Sequence, residues 1–212
     1  MYQLYYYPLN ASMAPHFILE AIKQEFELLL VDRKSEAQKS PEYLRLNPAG
    51  RIPTLIDGDT VIFESPAICI YLAEQHPNVN LIPPLGASAR PKFFQWLMYL
   101  TNTLQSELMI YFYPARHISA ETDPAQVIAQ QEKRLNDIWT LLDKELEQQT
   151  YLVGEQLTVC DYFLFMLAVW SDELKQPPLN FPNVNRYLKH LASLPAVIKV
   201  CEKENLSLAD YQ

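Results

Sequence analysis

The chain has 212 residues, of which 49% are hydrophobic and 20% are charged, and this composition is ordinary for a folded protein with a sizeable core. Its formal net charge of -8 argues against a nucleic-acid-binding surface, because such a surface needs a basic patch. Three cysteines without a C-x-x-C pair exclude a disulfide framework and a cysteine zinc knuckle, and they favour a reducing compartment.

The first elements of the chain alternate between strand and helix patterns. Tyr2 to Tyr7 is rich in tyrosine and predicts a strand, and apolar residues at helical spacing after Ser12 predict a helix that Ser12 caps. The nearly all-apolar run Phe26 to Val31 predicts a strand covered on both faces. Together they predict a right-handed unit with two parallel strands, followed by a short helix from Pro41 to Leu46.

A hairpin pattern follows. The apolar runs Ile52 to Ile56 and Val61 to Phe63 flank an Asp-Gly turn, which is typical of a β-hairpin. Pro53 lies at the start of the first run, where a proline avoids an internal hydrogen bond of the sheet. The Ile52-Pro53 bond is therefore a candidate for a cis peptide.

A helix begins directly after the hairpin. Ser65 precedes Pro66 in the manner of an N-cap before a proline at the first helical position. The free N–H groups of such a helix start attract a carboxylate, Ser65 can add a hydroxyl donor, and Glu64 can pair with an ammonium group. The pair fits one end of an α-amino acid, although Ser65 as a simple cap is the alternative.

The second half of the chain is helical throughout. The patterns predict five helices: Pro91 to Tyr113, Pro124 to Gln148, an all-apolar central helix capped by Thr158 and Asp161, Val184 to Leu191, and Ala196 to Lys203. We therefore predict an α/β thioredoxin-like N-terminal domain (βαβ-ββα) over residues 1–77, a proline-rich linker over 78–90, and an all-α helical bundle domain over 91–212.

These motifs resemble a known family. The NP-x-G-x-IP-x-L run, the Glu-Ser pair and the helix after them are similar in order and spacing to the glutathione-binding half of the cytosolic glutathione S-transferases. The helical half, with its G-x-x-x-T-x-x-D cap, resembles the same family, so the likeness covers essentially the whole chain. The opening YYYPLNASMAPH is most similar to the bacterial beta class pattern Y-x-P-x-x-C-S-x-A-x-H. Ala11 replaces the cysteine of that class, and Met98 and Gln105 replace its asparagine and histidine.

The resemblance implies a site for glutathione as co-substrate, without a metal. Ile52 would offer its backbone to the cysteinyl part, and Glu64 with Ser65 would hold the γ-glutamyl end. Two basic residues are candidates for the glycyl carboxylate. The predicted binding residues are Ile52, Pro53, Glu64, Ser65, Arg51 and Lys34.

The chemistry that the resemblance implies is activation of the glutathione thiol, which must become a thiolate to attack an electrophile. Ser12 and Tyr6 are rival donors to the sulfur; as plain residues they would be a helix cap and a packed core tyrosine. Met109, Tyr113 and Arg116 lie on nearby turns at helical spacing and are the candidates for a second-substrate pocket, with core packing as the alternative.

The leading interpretation is a glutathione S-transferase that adds the thiolate to a small hydrophobic electrophile. The alternatives are a non-catalytic glutathione-binding or ligand-carrier protein and a glutathione-dependent disulfide reductase or peroxidase. The resemblance also implies a homodimer. The sequence shows no signal-peptide pattern, and its longest apolar run, Tyr162 to Trp170, is too short to span a bilayer, so we expect a cytoplasmic protein without a membrane or nucleic-acid partner.

Overall fold

The computed structural model describes residues 1–119, 121 and 123–212. Its contacts divide the chain into two compact units, and the first contains residues 1–84, 192–210 and 212. The second contains residues 85–191 and 211. The last helix therefore packs within the first unit, although the predicted boundaries assign it to the helical domain. Within the described ranges, no helix combines the length and the apolar character needed to cross a membrane.

The elements follow the predicted order. The strands are β1 (Tyr2–Tyr6), β2 (Phe26–Leu30), β3 (Thr54–Asp57) and β4 (Thr60–Phe63). The helices are α1 (Met13–Ile22), α2 (Pro41–Leu46), α3 (Ser65–Gln75), α4 (Arg90–Tyr99), α5 (Ser106–Phe112), α6 (Pro124–Glu145), α7 (Val159–Trp170), α8 (Pro182–Ala192) and α9 (Pro195–Lys203).

The first unit is built on a mixed sheet with strand order β2-β1-β3-β4. Strand β1 runs parallel to β2 and antiparallel to β3, and β3 pairs with β4 as an antiparallel hairpin. Helix α1 packs against both α3 and α9. The predicted thioredoxin-like βαβ-ββα arrangement is confirmed.

The prediction that β2 is covered on both faces is wrong. Strand β2 lies at an edge of the sheet, and Leu30 at its end is 61% exposed. A continuous apolar run does not distinguish a buried central strand from an edge strand, because the order of strands in a sheet depends on contacts that are distant in sequence.

The two faces of β1 point to different surroundings. Tyr6 lies on the same face as the fully buried Leu4, and its ring meets the His16 ring of α1 edge-on at a centroid distance of 6.3 Å. Tyr5 and Tyr7 lie on the opposite face, where they pack against a small apolar cluster that contains Ile52. Successive tyrosine side chains of this segment thus point to opposite faces of the sheet.

In the second unit, the predicted helix from Pro91 to Tyr113 is a continuous helical run with a π-helical segment, Leu100–Gln105, between α4 and α5. A π-helical turn inserts a residue into the helical ladder and re-aims the side chains around it. No feature of apolar spacing predicts this segment, since the residues on both sides keep an ordinary helical pattern.

Helix α7 is the centre of the second unit, and the residues from Val159 to Ala168 are all buried. Its start is fixed by Asp161, whose Oδ2 accepts hydrogen bonds from the N–H and the hydroxyl of Thr158 at 2.6 and 2.9 Å. The Leu152 N–H and the Tyr187 hydroxyl donate to the other oxygen at 2.8 and 2.7 Å. The predicted Thr158–Asp161 cap is confirmed.

Candidate functional site

The loop before β3 is held by two side chains that donate hydrogen bonds to the same carbonyl. The Tyr43 hydroxyl and the Asn47 amide donate to the Arg51 carbonyl oxygen at 2.7 and 2.8 Å. The Asn47 Oδ1 accepts from the Ala49 N–H at 3.1 Å, and Gly50 turns the chain with a φ of 58°. Burial raises the pKa of Tyr43, so this hydroxyl remains a donor at neutral pH. The loop presents the next residue, Ile52, in a fixed position.

Ile52 offers its main chain rather than its side chain. Its side chain is buried in the cluster with Tyr5 and Tyr7, and the Ile52-Pro53 peptide is cis, as predicted. Neither the N–H nor the carbonyl of Ile52 has a hydrogen-bond partner among the described residues. An unpaired main-chain donor and acceptor beside a strand can pair with a peptide-like ligand.

The start of α3 differs from the prediction in one respect. Glu64, with φ 72° and ψ 111°, occupies the N-cap position, so the prediction of Ser65 as the cap is wrong. Ser65 is the first helical residue, 4% exposed, and its hydroxyl donates to the Ala11 carbonyl at 2.6 Å. The first helical hydrogen bond joins the Ile68 N–H to the Glu64 carbonyl at 3.0 Å, so the N–H groups of Ser65 and Ala67 precede the ladder.

These groups at the start of α3 suit a zwitterion. The two free N–H groups and the helix dipole favour a carboxylate. The Glu64 side chain is exposed and has no ion-pair partner among the residues that the structure describes. Glu64 adopts a backbone conformation that is costly for a residue other than glycine, and such strain is typical of functional sites.

The loop between β1 and α1 approaches the same helix start. Ser12 is fully buried, its hydroxyl donates to the Tyr7 carbonyl at 3.0 Å, and it accepts from the Tyr7 N–H at 3.2 Å. Ser12 occupies the N-cap position of α1, as predicted, but its side chain makes no capping hydrogen bond. The hydroxyl instead closes the loop back onto the end of β1.

The far end of the chain also holds this loop. The Glu204 carboxylate, directly after α9, accepts from the Leu9 N–H at 2.7 Å and contacts the His16 Nδ1 at 2.8 Å. Glu204 and His16 are both buried. The sequence analysis assigned no role to Glu204, and a single glutamate at the end of an amphipathic helix gives no signal of a partner 195 residues away.

The comparisons with known proteins agree with this geometry. Two family models match the chain, "Glutathione S-transferase, N-terminal domain" over residues 2–74 and "Glutathione S-transferase, C-terminal domain" over residues 103–195. Glutathione S-transferase D7 of Drosophila melanogaster is 31% identical over 190 residues, which cover 88% of this chain and 82% of that protein. The chain belongs to the glutathione S-transferase family.

Solved structures show the same relationship. A sphingomonad glutathione S-transferase complexed with glutathione is 26% identical, with a TM-score of 0.84 over 97% of this chain and 100% of that chain. A bacterial beta class glutathione S-transferase of Sphingomonas chungbukensis gives the same identity, TM-score and coverage: 26%, 0.84, 97% and 100%. The predicted family, its likeness to the beta class and the enzyme class, glutathione transferase, are confirmed.

Two exposed basic residues of the transferase are the candidates for binding the glycyl carboxylate of glutathione. Lys34 donates its backbone N–H to the Asp32 carboxylate at 2.9 Å, and its side chain is exposed. The Arg51 side chain is exposed beside the fixed carbonyl of its own residue. Both belong to the first unit, as do Ile52 and Ser65.

The second-substrate candidates belong to the second unit. The guanidinium of Arg116 lies 4.1 Å from the centre of the Tyr113 ring, and the Tyr113 N–H donates to the Met109 carbonyl at 3.1 Å. The helical spacing predicted for all three is only partly correct. Helix α5 ends at Phe112, and Arg116 lies in a separate 3-10 turn.

The cysteines contribute no reactive thiol to the described site. Cys69, Cys160 and Cys201 are all buried, and none of them forms a disulfide. Burial raises the pKa of Cys69 well above its usual range and raises that of Cys201 to about 12. Ala11, at the position of the beta class cysteine, carries no sulfur, so a mixed disulfide cannot form there.

Two other features lie apart from the predicted glutathione residues. An open cavity of about 1010 Å³ lies among α1, β2 and α9. Its lining carries charges of both signs, including Lys23, Lys199, Glu20 and Glu202, and it contains none of the predicted binding residues. In the described part of the chain, no group of histidine, cysteine and acidic side chains is arranged to hold a metal ion.

Proposed function

We propose that this transferase binds glutathione in its first unit and adds the glutathione thiolate to a small hydrophobic electrophile. The observation that carries the proposal is the hydrogen bond from the Ser65 hydroxyl to the Ala11 carbonyl at 2.6 Å, which joins the start of α3 to the loop before α1. Two helix N-termini and their loops thus meet in one place, where they offer donors to an anionic ligand.

The γ-glutamyl end of glutathione carries a carboxylate and an ammonium group. The carboxylate accepts hydrogen bonds from the N–H groups at the start of α3 and from the Ser65 hydroxyl, while Glu64 pairs with the ammonium group. The Glu64 side chain is exposed, so forming this ion pair removes only part of the water around its carboxylate.

The rest of the tripeptide follows the loop before β3. The cysteinyl residue pairs with the unpaired main chain of Ile52, as an added strand would. Lys34 or Arg51 neutralises the glycyl carboxylate, and Pro53 completes the turn that presents Ile52. This assignment uses every predicted binding residue of the first unit.

In the reaction, the thiol loses its proton to water, and the resulting thiolate forms a carbon–sulfur bond with the electrophile as the bond to the leaving group breaks, which releases chloride from a chloroarene. A hydrogen-bond donor near the sulfur favours the thiolate. Of the two donors predicted from the sequence, Ser12 must release the Tyr7 carbonyl to reach the sulfur, and Tyr6 packs against His16. Met109, Tyr113 and Arg116 form the surface that takes the electrophile.

We further propose a cytoplasmic homodimer with a role in detoxification. The three buried cysteines, none of which forms a disulfide, suit a reducing compartment. Two apolar side chains at an edge of the sheet, Val61 and Phe63, are 42% and 38% exposed and suit a protein interface.

The test is a rate measurement with glutathione and 1-chloro-2,4-dinitrobenzene, followed by absorbance of the thioether product. We expect a rate above the uncatalysed reaction that saturates in both substrates. Glutathione binding by calorimetry without turnover of several electrophiles, a disulfide or a hydroperoxide supports the second candidate, a non-catalytic glutathione-binding protein. The burial of Ser12 and the replacement of the beta class cysteine by Ala11 are the observations that favour this candidate.

A further inference from the structure

The loop between β1 and α1 is fixed at each residue around Asn10. The Leu9 N–H is held by Glu204 at 2.7 Å, and the Ala11 carbonyl is held by Ser65 at 2.6 Å. The Ser12 hydroxyl exchanges hydrogen bonds with the backbone of Tyr7. The Leu9 N–H and the Ser12 hydroxyl therefore serve the structure of the loop, whereas the Ser65 hydroxyl is the group that the proposed function assigns to the γ-glutamyl carboxylate.

Asn10 differs from these neighbours. Its main-chain carbonyl accepts from the Met13 N–H at 2.9 Å, so its backbone is fixed independently of its side chain. The side chain is half-buried and makes no hydrogen bond among the residues that the structure describes. A carboxamide offers two N–H donors, and here both remain available to a ligand.

We infer that the side-chain amide of Asn10 donates a hydrogen bond to the sulfur of bound glutathione and thereby favours the thiolate. This inference rests on the proposed function, because it needs glutathione bound between Ile52 and the start of α3. Asn10 directly precedes Ala11, whose carbonyl contacts Ser65, so the amide belongs to the segment that adjoins the γ-glutamyl site. A donor to the charged form lowers the pKa of a titrating group.

The two donors predicted from the sequence are less available than Asn10. The Ser12 hydroxyl is fully buried and has a donor and an acceptor already in place. Tyr6 shares a strand face with the fully buried Leu4 and packs edge-on against His16. In this arrangement Ser12 is a positioning residue that closes the loop, and Asn10 is the catalytic residue that touches the reacting sulfur.

The experiment titrates the ultraviolet absorbance of the thiolate in the glutathione complex of the full chain. We expect Asn10→Ala to raise the pKa of the bound thiol by about 1 to 2, which is the effect of one hydrogen bond to a charged group. Turnover at neutral pH should fall roughly ten- to a hundredfold, while the glutathione dissociation constant changes by less than about threefold. Circular dichroism and urea unfolding check that the fold is intact.

Matched variants of Asn10 distinguish the loss of its hydrogen-bond donors from the loss of its side-chain packing. Asn10→Asp keeps the size of the side chain but removes the N–H donors and adds a negative charge, so it should raise the pKa at least as far as Asn10→Ala. Asn10→Ser restores a donor and should recover part of the loss. Ser12→Ala and Tyr6→Phe should each move the pKa less than Asn10→Ala does.

The outcomes are distinct. If the wild-type complex forms a thiolate and Asn10→Ala leaves its titration unchanged, or if Ser12→Ala or Tyr6→Phe shifts it further, the inference is wrong and the proposed function stands. If the wild-type protein binds no glutathione, the proposed function is wrong and the inference is overturned with it. A shift with Asn10→Ala and Asn10→Asp, partly reversed by Asn10→Ser, supports the inference.

Discussion

The Ser65 hydroxyl donates to the Ala11 carbonyl, which is a neutral acceptor. In the proposed site this hydroxyl donates to the γ-glutamyl carboxylate instead. A carboxylate in its place accepts a charge-assisted hydrogen bond, which is about twice as strong as a neutral one. The free energy of binding therefore includes only the difference between the charge-assisted and the neutral hydrogen bond.

We expect Ser65→Ala to weaken glutathione binding about five- to thirtyfold. The difference between a charge-assisted and a neutral hydrogen bond is about 1–2 kcal/mol, and 1.4 kcal/mol is tenfold in a dissociation constant. Calorimetry measures the constant. Ser207→Ala is the matched control, because Ser207 is exposed and, among the described residues, its hydroxyl accepts only from the Ala209 N–H. An unchanged constant for Ser65→Ala with an intact fold contradicts the γ-glutamyl assignment.

The thiols of the folded protein should not react with Ellman's reagent from pH 7 to pH 9. Burial raises the pKa of Cys69 and Cys201, so neither becomes the reactive thiolate in that range, and Cys160 is buried as well. Denaturation should release three equivalents. Ala11→Cys provides the positive control, because it places a thiol near the end of the loop before α1. Rapid modification of one native thiol would disprove this prediction.

The conformation of the candidate binding residues was more predictable than that of the Ser12 hydroxyl. Glu64, Ser65 and the cis Ile52-Pro53 peptide follow from a contiguous motif, in which each residue has a local conformational role. The burial of Ser12 could not be predicted, because its partner is the main chain of Tyr7, and main-chain atoms carry no sequence signal. Local pattern therefore suggested the more familiar role of a helix cap.

Glu204, directly after helix α9, joins that helix to the loop before α1 through its contacts with Leu9 and His16. We expect Glu204→Ala to lower the free energy of unfolding by about 2–5 kcal/mol, because the buried His16 and the Leu9 N–H lose their acceptor. Urea unfolding measures the loss. Glu204→Gln keeps an acceptor for the Leu9 N–H and should lose less. Equal stability of the wild-type and alanine variants would show that the contact is not stabilising.

Element order was predictable, whereas the relation of distant elements was not. Strand–helix alternation gave the parallel β1–β2 pair and the β3–β4 hairpin, because both depend on short-range patterns. The exposure of β2 and the packing of α9 in the first unit depend on contacts between distant residues. The π-helical segment Leu100–Gln105 has no separate signature in apolar spacing.

For the whole molecule, we expect light scattering at micromolar concentration to return twice the chain mass of 24.6 kDa. Phe63 on the outer strand β4 is 38% exposed, and full burial of such a side chain contributes about 1.5–3 kcal/mol. Phe63→Glu should therefore shift the mass towards the monomer. Leu30→Glu is the control, since Leu30 is exposed on β2 at the opposite edge of the sheet. A wild-type mass of 24.6 kDa would exclude the homodimer at that concentration.

We propose that this transferase holds glutathione as a thiolate at neutral pH without a cysteine or a metal. The most direct measurement is the ultraviolet absorbance of the thiolate in the wild-type glutathione complex as a function of pH. We expect a bound thiol with a pKa below about 8.5, the value of an unperturbed thiol, and therefore a substantial thiolate fraction near pH 7. A complex that binds glutathione but titrates at or above that value would contradict the claim and leave a binding protein.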